Sequence, residues 1–242
     1  MTKRLFDISL SLLGLLILSP FIFVFAILVF LQDYKSPFFI ADRVGKDGVI
    51  FKMIKLRSMV VDANKSGVNS TSTNDPRITK IGIFIRRFKL DELTQLINVF
   101  RGQMSLVGPR PNVKSETDNY SVDEKQLLNI KPGITDFSSI IFSDEGDILK
   151  NSLNPDLDYN QLIRPWKSRL GLLYLERRSH KIDITLIYLT LLSVISRKRA
   201  IKNLIEIIRR LSNDKMLIEV CKRDKALVPY PPPGLKEVVK KV

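Results

Sequence analysis

The sequence is poor in the residues that build disulfides and zinc sites. It contains one cysteine, Cys221, and one histidine, His180, among 242 residues. A single cysteine excludes an internal disulfide, and a solitary histidine without a cysteine cluster argues against a zinc site. The sequence also lacks a P-loop and a G-x-G-x-x-G motif, two signatures of nucleotide-binding loops. Cys221 and His180 are therefore expected to pack or to face solvent.

Negative charge is scarce relative to positive charge. There are 39 lysines and arginines against 25 acidic residues, which gives a net charge of +14. A protein this basic usually meets an anionic partner, which can be nucleic acid, an anionic membrane or a phosphorylated substrate. The hydrophobic content of 45% is enough for a packed core, and the length predicts one or two domains.

Charge is absent altogether from residues 8–31, a long apolar run near the start of the sequence. As a straight helix this run would extend roughly 36 Å, enough to cross the hydrocarbon core of a bilayer. A cleaved signal peptide fits poorly, because the run is long and no small-x-small cleavage pattern follows it. The run therefore predicts a helix in the membrane.

Ser19 and Pro20 interrupt this run near its middle. Proline removes a backbone donor and clashes with the carbonyl of Leu16, while a serine hydroxyl can hydrogen-bond the freed backbone. Two readings stay open on this evidence, a re-entrant hairpin of two half-helices and a kinked spanning helix. The basic flanks, Lys3 and Arg4 before the run and the basic remainder after it, favour the hairpin because both prefer the cytoplasmic side.

The sequence after residue 37 alternates between strand and helix signals. Apolar stretches on either side of the turn at residues 45–48 predict a β-hairpin within residues 38–59. The polar residues 62–75 predict a mobile loop. Leucines, an isoleucine and a phenylalanine at helical spacing predict a helix over residues 90–100 that ends at Gly102, and further helices are predicted at residues 122–130 and 164–179.

The last third of the sequence carries two apolar helical patterns. Residues 182–195 are apolar almost all round and too short to span comfortably, which predicts a helix that is buried or lies in the membrane interface. Residues 201–211 carry an apolar stripe faced by basic residues, and this stripe either lies on an anionic leaflet or packs on the domain. Residues 229–242 are proline-rich and then basic, typical of an extension that orders only on contact.

Two acidic residues, Asp91 and Glu92, stand beside the cations Arg86, Arg87 and Lys89. The simpler interpretation is structural, with Asp91 capping the predicted helix and Glu92 complementing its dipole. The functional interpretation is that one carboxylate attacks phosphorus to form an acyl phosphate while the other holds Mg²⁺.

Arg110 lies between two prolines in the segment Gly108-Pro109-Arg110-Pro111. The prolines restrict the backbone, so the guanidinium would point in a fixed direction suited to a bidentate grip on phosphate or carboxylate. A structural turn is the alternative. The basic residues Lys52, Lys55 and Arg57 would, taken alone, be a solvated face.

Residues 2–190 resemble the monotopic polyprenyl-phosphate glycosyl-1-phosphate transferases, the bacterial sugar transferase family. The segments that carry the resemblance are, in chain order, KRLFD (3–7), the Ser19-Pro20 pair, DRVGKDGVIFKMIKLRSM (42–59), NDPRITKIGIFIRRFKLDEL (74–93), QLINVFRGQMSLVGPRP (95–111), KPGIT (131–135) and YLERRSHKIDITLIYLT (174–190). Their number and their order make chance agreement a poor explanation.

The resemblance implies a mostly α fold with a small β-hairpin. Residues 1–36 would form a re-entrant membrane helix broken at Ser19-Pro20. Residues 37–199 would form a compact cytoplasmic catalytic domain with interfacial amphipathic helices. Residues 200–242 would be a basic amphipathic C-terminal extension, longer than expected for a minimal member of the family.

The resemblance also implies an enzyme, a phosphosugar transferase with an Asp-Glu catalytic pair. Carried over, Asp91 attacks the β-phosphate of a UDP-sugar and expels UMP, and polyprenyl (undecaprenyl) phosphate then takes the phosphosugar from the enzyme. Glu92, with Asp91, is expected to bind Mg²⁺ and to assist proton transfer. Arg110, Lys55 and Arg87 are expected to contact phosphates. The reaction would be the first membrane step in the synthesis of a capsule, O-antigen, exopolysaccharide or glycoprotein glycan.

The implied partners are a UDP-sugar, polyprenyl phosphate and membrane lipid, at the cytoplasmic face of the bacterial inner membrane. A homo-oligomer is compatible with the sequence. Thr94 stands where the family usually has proline, and Asp136-Phe137 where it usually has Gly-Trp. The helix start after the acidic pair and the substrate pocket could therefore differ from those of the family, although Phe137 retains an aromatic ring for stacking.

Two rival functions remain. One is a catalytically silent membrane scaffold. The other is a nucleic-acid binder, but the sequence has no nucleic-acid motif, and this function would leave the apolar run unexplained.

Overall fold

The computed structural model describes residues 2–68 and 70–241 of the chain. It begins with a single long helix, α1 (Thr2–Leu31), that continues through Pro20. The Ser19 hydroxyl donates a hydrogen bond to the Leu16 carbonyl at 3.1 Å, the carbonyl whose usual helical donor the proline removes. The local compensation expected of Ser19 is therefore confirmed, whereas a bend that separates two half-helices remains a prediction.

The middle of α1 is apolar and exposed. By length and composition, it is the one helix among the described residues that could cross a membrane. Its large exposed side chains are Leu12, Leu13, Leu16, Ile17, Phe21, Phe23, Val24, Ile27 and Leu28. Apolar surface of this extent is stable in contact with lipid rather than water, which indicates membrane association.

The N-terminal end of α1 is attached to the rest of the chain by polar contacts. Lys3 pairs with buried Asp183 at 2.7 Å, and the Arg4 guanidinium donates to the backbone carbonyls of Val99 and Phe100 at 2.6 and 2.7 Å. The buried Asp7 carboxylate accepts from the Ser105 hydroxyl at 3.1 Å.

The C-terminal end of α1 is attached as well. Arg57 donates to the Val29 carbonyl at 3.5 Å and pairs with Asp33 at 2.6 Å. Val29 itself is fully buried beside Leu56 and Ile85. Both ends of the helix are therefore fixed to the body of the protein, while most of its apolar side chains lack cover.

The predicted β-hairpin is confirmed. Strands β1 (Phe38–Val44) and β2 (Ile50–Leu56) pair antiparallel, with Val44 opposite Ile50 next to the turn. The turn needs left-handed backbone at Asp47 (φ 56°) and Gly48 (φ 78°), a conformation that glycine adopts without strain. A second, parallel pair of short strands, β3 (Ser105–Val107) and β4 (Gly133–Thr135), lies elsewhere in the body.

The prediction of one continuous helix over residues 90–100 is wrong. The segment consists of a 3₁₀ turn at Leu90–Glu92 and a separate helix, α3 (Gln95–Phe100), preceded by α2 (Lys80–Arg87). Leu93 and Thr94, between the two pieces, keep right-handed helical backbone angles. The buried Thr94 hydroxyl donates to the Ile54 carbonyl at 3.0 Å and so links this segment to β2. The predicted end at Gly102 is confirmed, with φ 83° there.

Short helices connect these elements to the C-terminal half. They are α4 (Lys114–Asp118), α5 (Val122–Lys125), a 3₁₀ turn (Gln126–Asn129), α6 (Phe137–Ile141), α7 (Glu145–Ile148) and α8 (Pro155–Asp158). The single helix predicted at residues 122–130 is thus a helix followed by a 3₁₀ turn. It begins at a capping box, in which the Ser121 and Glu124 side chains each accept from the other's backbone N–H.

Longer helices complete the body. A π-helical turn (Tyr159–Ile163) runs into α9 (Arg164–Arg177), which is followed by α10 (His180–Ile195), α11 (Arg197–Leu211) and α12 (Lys215–Cys221). The main core joins all four helices to β2, α3 and α6. The apolar stripe of α11 is buried in that core, so of its two predicted placements, packing on the domain is the one observed.

The outer face of α10 is apolar but not covered. Leu186 and Leu189 are buried in the core, whereas Ile184, Tyr188 and Leu191 on the outer face are 56%, 59% and 65% exposed. The helix is therefore half in the core and half available to a second apolar environment.

Two predicted irregular segments include residues outside the described part of the chain. The loop at residues 62–75 contains a 3₁₀ turn (Ala63–Ser66) and otherwise irregular backbone in its described residues, while Asn69 lies outside them. The tail at residues 229–241 is extended and irregular. Val242 in the predicted extension and Met1 in the predicted membrane segment also lie outside the described residues.

Candidate active site

Asp91 and Glu92 lie in the 3₁₀ turn between α2 and α3. The turn follows Lys89, whose left-handed backbone (φ 54°) redirects the chain after α2. Neither the 3₁₀ turn nor α3 has a side-chain capping hydrogen bond. The interpretation of Asp91 as a helix cap is therefore wrong. Its carboxylate, with the side chain 13% exposed, is available for another role.

Lys55 on β2 brings the two carboxylates together. Its ammonium lies 3.5 Å from Asp91 Oδ2 and 3.6 Å from Glu92 Oε1. Lys55 reaches this position from β2. The preceding residue, Ile54, accepts a hydrogen bond from Thr94, just after the 3₁₀ turn, and this bond holds β2 beside the turn. The two carboxylates converge on one cation.

Arg110, in the segment that follows β3, also contacts Glu92. A guanidinium nitrogen lies 2.5 Å from Glu92 Oε1. Burial alone would raise the pKa of the Glu92 carboxyl, but Arg110, Lys55 and Lys89 together hold that pKa well below its usual range. Glu92 in turn raises the pKa of Arg110. Glu92 is thus an anion at any physiological pH.

Close backbone packing holds the Arg110 segment in place. The N–H of Gly133 donates to the Pro109 carbonyl at 2.9 Å, and the N–H of Gly108 donates to the Thr135 carbonyl at 3.0 Å. A Cβ at Gly133 would lie only 2.1 Å from the Gly108 nitrogen, so no larger residue fits. The rigid direction expected for Arg110 thus comes from β3 and β4 as well as from its two prolines.

Arg87 is not brought into the site by a described contact. It lies at the end of α2, with its guanidinium 5.6 Å from the centre of the Phe88 ring. The other basic residues near Lys55 also have separate roles, since Lys52 pairs with Asp42 on the surface and buried Arg57 anchors the end of α1. The interpretation of these residues as one solvated face is wrong for Lys55 and Arg57.

The sequence interpretation missed Lys89 as part of the site. Its ammonium donates to the Ser139 carbonyl at 3.3 Å, and burial lowers the pKa of Lys89 while nearby Glu92 opposes this change. Lys89 directly precedes the Leu-Asp-Glu sequence, and that proximity to the acidic pair was the available signal.

Phe137 does not offer a stacking surface to a ligand. Phe137 is fully buried and packs edge-to-face on Tyr174, with ring centres 6.2 Å apart. The expectation that this ring could stack on a base or sugar is therefore wrong. Asp136 caps α6 by accepting from the Ser139 N–H at 2.7 Å, and its pKa is raised by burial.

A polar cavity adjoins Arg110. It is small, about 40 Å³, and is lined, among others, by Arg110, Asn112, Tyr120, Tyr159 and Lys167. The Lys167 ammonium pairs with Glu145 and lies 5.2 Å from the centre of the Tyr159 ring. Because Arg110 lines the cavity and also contacts Glu92, this side chain connects the mouth of the cavity with the acidic pair.

Known proteins resemble this chain over most of its length. The model of the bacterial sugar transferase family matches residues 1–197. A Bacillus subtilis protein provisionally named as an undecaprenyl-phosphate N-acetylgalactosaminyl 1-phosphate transferase is 48% identical over 118 residues, which are 49% of this chain and 66% of that protein.

Two further relatives match longer stretches of the chain. Galactosyl transferase CpsE of Streptococcus agalactiae is 36% identical over 78% of this chain and 41% of its own length. The UDP-glucose:undecaprenyl-phosphate glucose-1-phosphate transferase of Escherichia coli is 41% identical over 68% of this chain and 36% of its own length. The chain thus spans between about a third and two thirds of these relatives. The family match includes Asp91, Glu92, Lys55 and Arg110, and the chain belongs to the bacterial sugar transferases.

Proposed function

We propose that the chain transfers a sugar 1-phosphate from a UDP-sugar to a polyprenyl phosphate and releases UMP. The observation that carries this proposal is the acidic pair, in which Asp91 and Glu92 lie side by side with Lys55 and Arg110 in contact. The names of two relatives, from Bacillus subtilis and Escherichia coli, specify undecaprenyl-phosphate as the acceptor. An enzyme of this class fits the contacts better than a silent scaffold, because a scaffold needs no converging acidic pair.

The reaction follows a double displacement. An oxygen of the Asp91 carboxylate attacks the β-phosphorus, the bond from that phosphorus to the bridging oxygen breaks, and UMP leaves with the electron pair. A phosphosugar-aspartyl intermediate results. An oxygen of the polyprenyl phosphate then attacks the same phosphorus, the bond to Asp91 breaks, and the carboxylate is regenerated.

The cations of the site stabilise this transfer. A phosphoryl transition state spreads negative charge over its oxygens, and fixed donors that already point at those oxygens lower the barrier. Arg110 presents a planar guanidinium on a braced segment, and Lys55 already lies between the two carboxylates. Their role is to bind and orient the diphosphate against Asp91.

The acidic pair fits a magnesium ion that binds together with the substrate. Mg²⁺ in phosphate sites is typically held by one or two carboxylates, with phosphate oxygens and water as the other ligands. The convergence of Asp91 and Glu92 on the Lys55 ammonium, at 3.5 and 3.6 Å, supports this proposal, because it places one oxygen of each carboxylate near a common cation. When bound, the ion would neutralise the charge of the diphosphate and of the leaving group.

The membrane would hold the acceptor next to this site. A re-entrant placement of α1 is supported by its attachment at both ends, through Arg4 and Asp7 at one end and Arg57 with Asp33 at the other. Exposed apolar side chains on α2 and on the outer face of α10 suit an interfacial position. We place the protein at the cytoplasmic face of the bacterial inner membrane, at the first membrane step of glycan synthesis.

The proposal is tested by offering purified enzyme a panel of UDP-sugars with undecaprenyl phosphate and Mg²⁺ and by measuring UMP release. We expect Asp91→Asn to abolish release while folding is preserved, because an amide is not an anionic nucleophile. A radiolabel on the β-phosphate should stay on the denatured wild-type protein when acceptor is omitted, and not on Asp91→Asn. Near-native turnover by Asp91→Asn would refute the covalent route. No UMP release with any sugar would favour the scaffold.

A further inference from the structure

The segment at residues 230–239, here called the strap, lies beyond the part of the chain that the family model matches. It nevertheless lies against the body. The Tyr230 ring stacks on Trp166 in α9 with ring centres 4.5 Å apart. The guanidinium of Arg169 lies 4.8 Å from the centre of the Tyr230 ring and 5.3 Å from that of Trp166. Arg169 also donates to the Pro231 carbonyl at 3.0 Å.

The strap holds the π-helical turn that precedes α9. The N–H of Tyr230 donates to the Gln161 carbonyl at 3.0 Å, and the Gln161 side chain donates to the Val239 carbonyl at 2.7 Å. Isolated π turns are uncommon in helices and are frequent at functional sites. Here the turn carries Tyr159, which lines the polar cavity beside Arg110.

A third contact connects the strap to the start of α9. The Ser121 hydroxyl donates to the Pro233 carbonyl at 2.5 Å in a buried position. Ser121 caps α5 together with Glu124, and the Glu124 carboxylate accepts from Arg164 at 2.6 Å and from the Ser168 hydroxyl at 2.7 Å.

These contacts converge on one wall of the cavity. Arg164, Lys167 and Ser168 line it from the first turns of α9. Arg164 and Ser168 bind Glu124, and Lys167 follows Trp166, on which Tyr230 of the strap stacks. Arg110 lines the same cavity and contacts the acidic pair. The strap thus lies behind the wall that a molecule extending from Asp91 past Arg110 would meet.

We propose that the strap positions this wall for the sugar-nucleotide donor, with Tyr230 as the positioning residue that acts through Trp166 and the start of α9. The proposal rests on the proposed function, since it takes the donor to extend from the acidic pair past Arg110 to the mouth of the cavity. Tyr230 does not touch the donor, so its effect is on donor binding rather than on the attacking group.

The test compares Tyr230→Ala with Tyr230→Phe and with Val228→Ala, which removes an exposed side chain just outside the strap. We expect the KM for the UDP-sugar, and its Kd measured by calorimetry, to rise roughly tenfold in Tyr230→Ala, because small displacements of positioning groups have effects of at least this size. The KM for polyprenyl phosphate should stay within about twofold. Tyr230→Phe keeps the stack and should behave like wild type, as should Val228→Ala.

Trp166 reports on the strap independently, because it is the only tryptophan in the sequence. Its emission should shift to the red in Tyr230→Ala and stay unchanged in Tyr230→Phe. Unchanged donor Kd together with shifted emission would overturn the proposal, since the strap would then be released without consequence. Equal losses for both substrates would also overturn it, because they indicate general destabilisation.

Gln161→Ala provides a second route if Tyr230→Ala does not fold. It removes the bond to Val239 alone and should raise the donor Kd in the same direction by a smaller factor; an unchanged Kd there would contradict the proposal. Calorimetry keeps the two hypotheses separate. A wild type that binds UDP-sugar without releasing UMP would refute the proposed reaction, and the strap variants would still be judged by their donor Kd.

Discussion

The two acidic residues of the site are adjacent in sequence but differ in their surroundings. Glu92 contacts Arg110 at 2.5 Å and Lys55 at 3.6 Å, whereas the Asp91 side chain has Lys55 at 3.5 Å as its ion-pair partner among the described residues. A nucleophile must leave its partners to attack, and a weakly held carboxylate does so at lower cost. The contacts therefore favour Asp91 as the attacking group and Glu92 as the fixed anion.

At this scale we expect Arg110→Lys to lower kcat by about 10²-fold, a loss typical for removal of one well-placed transition-state donor. A lysine ammonium is a point charge and cannot keep a planar contact with Glu92 and a phosphate together. UMP release with saturating substrates measures the effect. Arg101→Lys, an exposed change at the end of α3, is the matched control. Wild-type kcat in Arg110→Lys would remove Arg110 from the proposed machinery.

At the scale of the elements, α1 is the feature that decides how the chain meets the membrane. It is long enough to span, yet its first turns contact α3 and α10, and its last turn contacts β2. A straight helix with both ends on one body cannot place those ends on opposite sides of a bilayer. Attachment at both ends therefore supports the prediction that the two ends lie on the same side of the membrane.

We predict that residue 2 and the catalytic domain lie on the same, cytoplasmic, side. The measurement is labelling of Thr2→Cys by a membrane-impermeant maleimide in spheroplasts, with Cys221→Ser to remove the native thiol. The cysteine should stay protected until lysis. Replacing Ser19-Pro20 by Ala-Leu should restore the helical hydrogen bond to the Leu16 carbonyl and expose residue 2 in some molecules. Labelling of the unmodified segment in intact spheroplasts would instead demonstrate a spanning helix.

Sequence patterns predicted the β-hairpin and α11 because the residues that specify each element lie within that element. The hairpin followed from the glycine-containing turn at residues 45–48, and α11 from the spacing of its apolar stripe. The break before α3 was missed because the helical spacing of Leu93, Leu96 and Ile97 continues across it. The parallel β3–β4 pair was missed because each strand has three residues and no turn joins them.

The same distinction applies to the site. Asp91, Glu92 and Arg110 were recognisable from their motifs, whereas Lys55 and Arg87 were assigned to phosphates only from the family resemblance. The contact of Lys55 with both carboxylates was not predicted. The Arg87 guanidinium lies over the Phe88 ring. The position of Lys167 in the cavity wall involves an ion pair with Glu145, twenty-two residues away, and no local pattern predicts that pair.

For the whole molecule, the exposed apolar surface is spread over α1, α2 and α10 rather than on one helix. Their exposed side chains include Phe21, Ile83, Phe84, Tyr188 and Leu191. A protein of net charge +14 with such surfaces combines two attractions to an anionic leaflet, apolar burial and electrostatics. The charge alone suggested three classes of partner, and the apolar surface favours the membrane over nucleic acid.

We predict that EDTA stops transfer and that added Mg²⁺ restores it. The reason is that the charge of the diphosphate needs a metal ion in addition to the cationic side chains of the site. UMP release before and after chelation measures this effect in the intact protein. Thermal unfolding followed in the same samples should change little, since the carboxylates already contact Lys55 and Arg110. Full activity in EDTA would contradict the metal role.

The ammonium of Lys55 between Asp91 and Glu92 has a consequence for the folding of the turn that carries them. Two neighbouring carboxylates without a counterion would repel each other and would require an ion before the turn could close. Here the chain supplies that ion from β2. The turn can therefore close without a metal ion, and the proposed Mg²⁺ would bind afterwards, together with each donor.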